Sequence, residues 1–136
     1  MTGERALDTL LRTMSPELQD NVFVFCTVAG DADLSALPPP LLLFREREGI
    51  TLVLRREDAE RAGLPHLFAS RLITLNVHSA LDAVGFLAAI TARLAQAGIS
   101  VNAVSAYHHD HLFVPEQRAE EALACLSALC RAARSA

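Results

Sequence analysis

The sequence predicts an α+β fold made of two similar units, in each of which helices cover one face of an antiparallel sheet. The chain has 136 residues, of which 51% are hydrophobic, so it can bury a sizeable core. Its second half shows the pattern strand, helix, strand, strand, helix, and the helix ending Ala62-Gly63-Leu64 is echoed by Ala97-Gly98-Ile99. We therefore expect an N-terminal unit with a leading helix at residues 1–70 and a C-terminal unit at residues 71–136.

The first half alternates extended segments with two short helices. Apolar residues at helical spacing between residues 5 and 14 predict the leading helix, which Ser15-Pro16 ends. Three prolines at 38–40 form a stiff extended connector. The other elements are a β-branched and aromatic strand at 21–28, a hairpin of strands at 41–47 and 50–54, and a short helix at 56–63.

The second half is more regular. Residues 72–78 alternate apolar and polar side chains like a half-buried strand. Ser79, followed by Asp82 three residues later, is typical of a helix start, and we expect this helix to end at Gly98. A strand at 100–107, a turn at His109-Asp110, a strand at 111–114 and a helix from Pro115 to Ala133 complete the pattern. This order predicts a ferredoxin-like unit with a right-handed crossover.

The charge balance argues against binding to nucleic acid or to an acidic membrane surface. Sixteen acidic residues outnumber twelve basic ones, which gives a net charge of −4. All twelve basic residues are arginine, which excludes a lysine nucleophile, a lysine general base and a phosphate-loop lysine. Arg45, Arg47, Arg55 and Arg56 alternate with acidic residues, so we expect a solvated charged surface there.

The chain has the features of a cytoplasmic protein without a cofactor. Its first residues lack an apolar signal core, and no apolar run reaches the ~18 residues of a membrane helix. The cysteines Cys26, Cys125 and Cys130 are odd in number, and the last two point apart on one predicted helix. We therefore expect free, buried thiols in a reducing compartment.

A candidate binding site lies where the strand at 72–78 turns into the next helix. A helix N-terminus presents unpaired N–H groups and a partial positive charge, which suit a carboxylate. Gly85 lets a ligand or a backbone come close, while Ser79 and Asp82 add a hydroxyl group and a carboxylate for an α-amino group. Asn102 begins the next strand, which we expect to neighbour the first one. Alternatively, Ser79 and Asp82 only cap the helix, and Gly85 only allows close packing.

Residues 108–111, His-His-Asp-His, carry the strongest alternative chemistry. Histidine and aspartate bind zinc and serve in acid–base catalysis. One hypothesis is therefore a metal-dependent or acid–base enzyme built on His78, His109, Asp110 and His111. Adjacent strand residues point to opposite faces, however, so His108 and His109 diverge. The other hypothesis is a polar hairpin that hydrogen-bonds the neighbouring loop, a dimer partner or a ligand.

The run at residues 77–104 resembles the ACT domain, a small regulatory module of aspartokinases and many other amino-acid enzymes. With HHDHLFVP at 108–115, it is similar to short stand-alone bacterial proteins of two ACT-like units, related to the aspartokinase regulatory region. The chain is identified as a member of that family. Asp82-Ala83-Val84-Gly85 lacks the proline that many ACT domains have in this turn. No fourth strand follows the last helix, so we expect the first half to supply that edge.

The resemblance implies a non-catalytic protein that senses or binds a small amino acid-like ligand and acts as a homodimer. Nothing in the chain corresponds to a kinase domain, so aspartokinase activity is excluded. A ligand-free structural dimerisation module is a further hypothesis. Six residues form the expected ligand site: His78, Ser79, Asp82, Val84, Gly85 and Asn102.

Overall fold

The computed structural model describes residues 3–136 and contains two compact units with separate hydrophobic cores. The middle unit is Asn21–Ser70, and the split unit combines the chain up to Asp20 with Arg71–Ala136. Antiparallel strand pairs and packed helices confirm the predicted α+β class. The expected domain boundary between residues 70 and 71 stays a prediction, and the first two residues of the expected unit 1–70 lie outside the described residues.

Apart from a short strand at Glu17–Leu18 that was not predicted, the helices and strands follow the predicted order, with different ends. The helices are α1 (Leu7–Thr13), α2 (Arg56–Arg61), α3 (Phe86–Gln96) and α4 (Ala119–Ser135). The strands are β1 (Glu17–Leu18), β2 (Phe23–Val28), β3 (Leu42–Arg45), β4 (Ile50–Arg55), β5 (Leu67–Thr74), β6 (Asn102–Ser105) and β7 (Asp110–Pro115). None of the helices within residues 3–136 has the length and apolar character needed to cross a bilayer.

The middle unit is built on the predicted hairpin of β3 and β4. Strand β4 also pairs antiparallel with β2, from Phe23 opposite Arg55 to Val28 opposite Ile50, and the start of β5 pairs with β2. The strand order is therefore β3-β4-β2-β5. Alternate strand residues point to one face. That face carries a core of Val24, Cys26, Ile50, Leu52 and Leu54, together with Ala59 from α2.

The split unit has the strand order β1-β5-β7-β6. Strand β1 pairs antiparallel with the end of β5, with Leu18 opposite Ile73. The first half of the sequence thus supplies the missing edge, as expected. The expectation that the strand of Asn102 neighbours the first strand is wrong, because β7 lies between β5 and β6.

Helices α1, α3 and α4 contribute to the core of the split unit. Helix α4 buries Ala119, Ala122, Leu126 and Cys130, whose spacing of three or four residues places them on one face. Cys130 Sγ donates to Met14 O at 3.2 Å and so links α4 to the end of α1. All three cysteines of the chain are buried and free.

Candidate functional site

The loop between β5 and α3 ends at Gly85, which caps α3 with a φ of +93°. Glycine adopts this left-handed conformation without a Cβ penalty. The first backbone hydrogen bond of α3 therefore runs from Ala89 N to Gly85 O, at 2.9 Å. The prediction that Ser79 and Asp82 begin the helix is wrong, because the left-handed residue interrupts any helix that starts before it.

Asp110 is a buried carboxylate held by two serines, and it is only 6% exposed. Ser105 Oγ donates to Asp110 Oδ1 at 2.6 Å, and Ser79 Oγ donates to Oδ2 at 2.9 Å. Among the ion pairs found within residues 3–136, none includes Asp110. The carboxylate therefore has neutral hydroxyl partners, and its oxygens keep lone pairs for further donors.

The register of the β6–β7 hairpin explains how this carboxylate becomes buried. Ala106 N donates to His109 O at 3.0 Å, which closes the turn before Asp110. Asp110 is the first residue of β7 and lies directly opposite Ser105. The prediction of a turn at His109-Asp110 is therefore wrong for Asp110, which belongs to β7. Its buried side chain accepts a hydrogen bond from Ser105 on β6.

A cavity of about 50 Å³ lies beside this carboxylate. A buried water needs roughly 10–15 Å³ of such space, so a few waters or the polar end of a small molecule fit. The wall includes Ser79, Ser105 and Asp110, together with Phe86 and Leu87 from the first turn of α3. The cavity thus lies beside both a carboxylate and a helix N-terminus. The first N–H groups of a helix lack intrahelical acceptors and are free to donate to a ligand.

Of the six expected site residues, all of which the structure describes, only Ser79 lines this cavity. Val84 is 85% exposed, and Asn102 lies on edge strand β6. A ligand contact by Val84 or Asn102 stays a prediction. Ser105 and Asp110 line the cavity but are missing from the expected ligand site, although a turn placed at residues 106–109 would have paired them.

The N-terminal residues Glu4 and Arg5 contact the loop between β5 and α3. Glu4 N donates to His78 O, and Ala80 N donates to Glu4 O, both at 2.8 Å. Arg5 holds Asp82 through two contacts, Nε to Oδ1 at 3.0 Å and Nη2 to Oδ2 at 2.8 Å. Asp82 is thus an ion-pair partner on the loop surface, where we expected it to meet an α-amino group.

The histidines form a loose patch rather than a metal centre. Ring centroids lie 5.7 Å apart for His78 and His108, and 6.4 Å apart for His109 and His111. Asp110 accepts from serines rather than from a histidine. In the described part of the chain, no group of three or more His, Cys, Asp or Glu side chains can hold a metal ion. The metal site expected at His78, His109, Asp110 and His111 is therefore not formed, whereas the acid–base part of that hypothesis is untested.

His111 makes folding stability depend on pH. Burial lowers its pKa below the ordinary 6.5, as does the charge of His109, while Asp110 acts in the opposite direction. The unfolded chain therefore takes up the proton first, so His111 contributes stability above about pH 6.5 that is lost as pH falls through its folded pKa. His111→Gln should flatten the dependence of the urea midpoint on pH between about 7 and 5. Equal slopes for both proteins would contradict this assignment.

Comparison with known families agrees with the fold. One family model described as an ACT domain matches residues 2–71, and a second ACT-domain model matches residues 68–128. The chain belongs to the ACT-domain family. Because the two matches follow one another along the sequence, it is a tandem ACT protein, as the sequence motifs indicated. A search of curated proteins gave no match.

Solved structures include several with the same architecture. A Vibrio cholerae protein of unknown function, described as a possible transport protein, is 47% identical and has a TM-score of 0.82, with 91% of this chain and 95% of that chain covered. The regulatory subunit of aspartate kinase from Thermus flavus is 11% identical, with a TM-score of 0.63 and coverage of 85% and 95%. An Agrobacterium tumefaciens protein is 14% identical, with a TM-score of 0.73 and coverage of 86% and 89%.

Proposed function

We propose that this tandem ACT protein is a non-catalytic regulator that binds a small amino acid at the cavity beside Asp110. The observation that carries the proposal is a buried carboxylate whose partners are two serine hydroxyls, next to the start of α3. An α-ammonium group would bind Asp110, and an α-carboxylate would accept from the first N–H groups of α3. The small volume suits such a head group, with the side chain of the ligand directed outward.

Membership of the ACT family and the fold shared with regulatory subunits of aspartate kinase support a regulatory role. We also propose a homodimer as the acting form. The dimer interface would have two alternative packings. Ligand binding would shift the equilibrium between them by no more than the difference in ligand affinity of the two packings.

Thermal unfolding in the presence of each of the twenty standard amino acids tests this function. At least one should stabilise the protein, by about 2.7 kcal/mol at a hundred times its dissociation constant. Asp110→Asn should weaken that ligand at least about tenfold, because the amide keeps hydrogen bonds with both serines but lacks the charge. The N-acetylated form of the same amino acid, which has no ammonium group, should give no stabilisation.

Asp82→Asn is the matched control. It removes a carboxylate from the same loop, but one that pairs with Arg5 and lies outside the cavity wall. Its ligand affinity should stay within about twofold of the parent protein. A flat response to all twenty amino acids would overturn the proposal in favour of a ligand-free dimerisation module, and full binding by Asp110→Asn would remove the site from this cavity.

A further inference from the structure

A second concave region lies in the middle unit, at the end of β4. Arg55 ends this strand directly opposite Phe23 on β2. The stiff proline segment passes nearby and is fixed where Leu41 N donates to Val53 O at 2.8 Å. Strand ends and a proline-rich connector thus form walls that need little ordering when a ligand binds.

These walls border a cavity of about 400 Å³ that is open to solvent on one side, and this volume is within the range of small-molecule sites. Its lining is apolar and polar in about equal parts and includes two charged groups: Phe23, Pro39, Pro40, Leu41, Arg55 and Asp58. A smaller cavity of about 210 Å³ also has Arg55 in its wall, next to Asn21 and Val22. Arg55 therefore lines two spaces.

The two charges of the larger cavity differ in their partners. Arg61 Nη1 lies 3.2 Å from Asp58 Oδ1, so this carboxylate has a hydrogen-bonded cation. Arg55 Nη1 lies 3.9 Å from Glu57 Oε1, which is too long for a hydrogen bond. The guanidinium of Arg55 thus has N–H donors to offer, in the planar arrangement that matches a carboxylate.

We propose that this cavity is a binding site for small organic carboxylates with an apolar body. The carboxylate pairs with Arg55, and the apolar body packs against Phe23 and the proline wall. A purely apolar molecule offers the guanidinium no acceptor, and a phosphate lacks the body that fills the apolar part. The site uses none of the residues around Asp110, so a test of this proposal is independent of the test of the amino acid site.

Titration of the isotope-labelled full chain with benzoate, followed by NMR, tests the proposal. Benzoate should cause saturable shifts of the amide signals of Phe23, Leu41, Arg55 and Asp58. Benzyl alcohol, which has the ring but no charge, should bind at least tenfold more weakly. Arg55→Gln should weaken benzoate at least tenfold, and Arg55→Lys should fall between the two because it keeps the charge but loses the planar fork.

Arg45→Gln is the matched control, since Arg45 is an exposed arginine at the end of β3 and lies outside the cavity wall. It should bind benzoate like the parent protein. Equal affinities for benzoate and benzyl alcohol, or an unchanged affinity in Arg55→Gln, would overturn the proposal. Shifts that grow linearly and spread over the whole surface would also overturn it, because they indicate non-specific association.

Discussion

Leu10→Ala should lower the free energy of unfolding by about 3 kcal/mol, since removal of a buried leucine side chain costs its transfer energy plus a cavity. Leu10 is fully buried in α1 and belongs to the core that contains Ile90, Leu94 and Leu126. The leading helix is thus part of the core that α3 and α4 build. Urea denaturation of the parent protein and the variant gives the difference.

Leu7→Ala is the control on the same helix, because Leu7 is 38% exposed and should lose less than about 1 kcal/mol. Similar small losses for both variants would show that α1 is not anchored in this core. The experiment also bears on the proposed domain boundary. If Leu10→Ala destabilises the split unit, the leading helix depends on residues 71–136 for its packing.

Local sequence patterns predicted most of the fold because apolar periodicity records which face of an element is buried. The stripe of α4 and the hairpin of β3 and β4 are examples, since both depend on spacing within one segment. Strand β1 was missed because Glu17–Leu18 is too short to show any periodicity. It exists because β5 offers an edge, which is a property of the assembled sheet.

The candidate site was harder to predict because its contacts join distant segments. Ser79 and Asp110 meet only after the sheet has formed, and no local pattern links them. The segment around Ser79 has the residues of a helix cap, yet the left-handed Gly85 moves the helix start past them. A residue type that favours helix caps shows only that a helix can begin there. The backbone conformation determines where the helix does begin.

Phe86→Ala should be the most destabilising substitution near the candidate site, with a loss of about 4 kcal/mol. Phe86 is the first residue of α3, is 2% exposed, and belongs to the core of the split unit. It also lines the cavity beside Asp110. Truncation would therefore remove the anchor that fixes the start of α3 and would join the cavity to a new void. Thermal and urea unfolding measure the loss.

Val84→Ala is the control, since Val84 precedes the same cap but is 85% exposed. Its free energy of unfolding should stay within about 0.5 kcal/mol of the parent protein. A loss below about 1 kcal/mol in Phe86→Ala would mean that packing does not hold the N-terminus of α3. In that case its N–H groups would not be pre-positioned beside Asp110, and amino acid binding would have to order the helix start first.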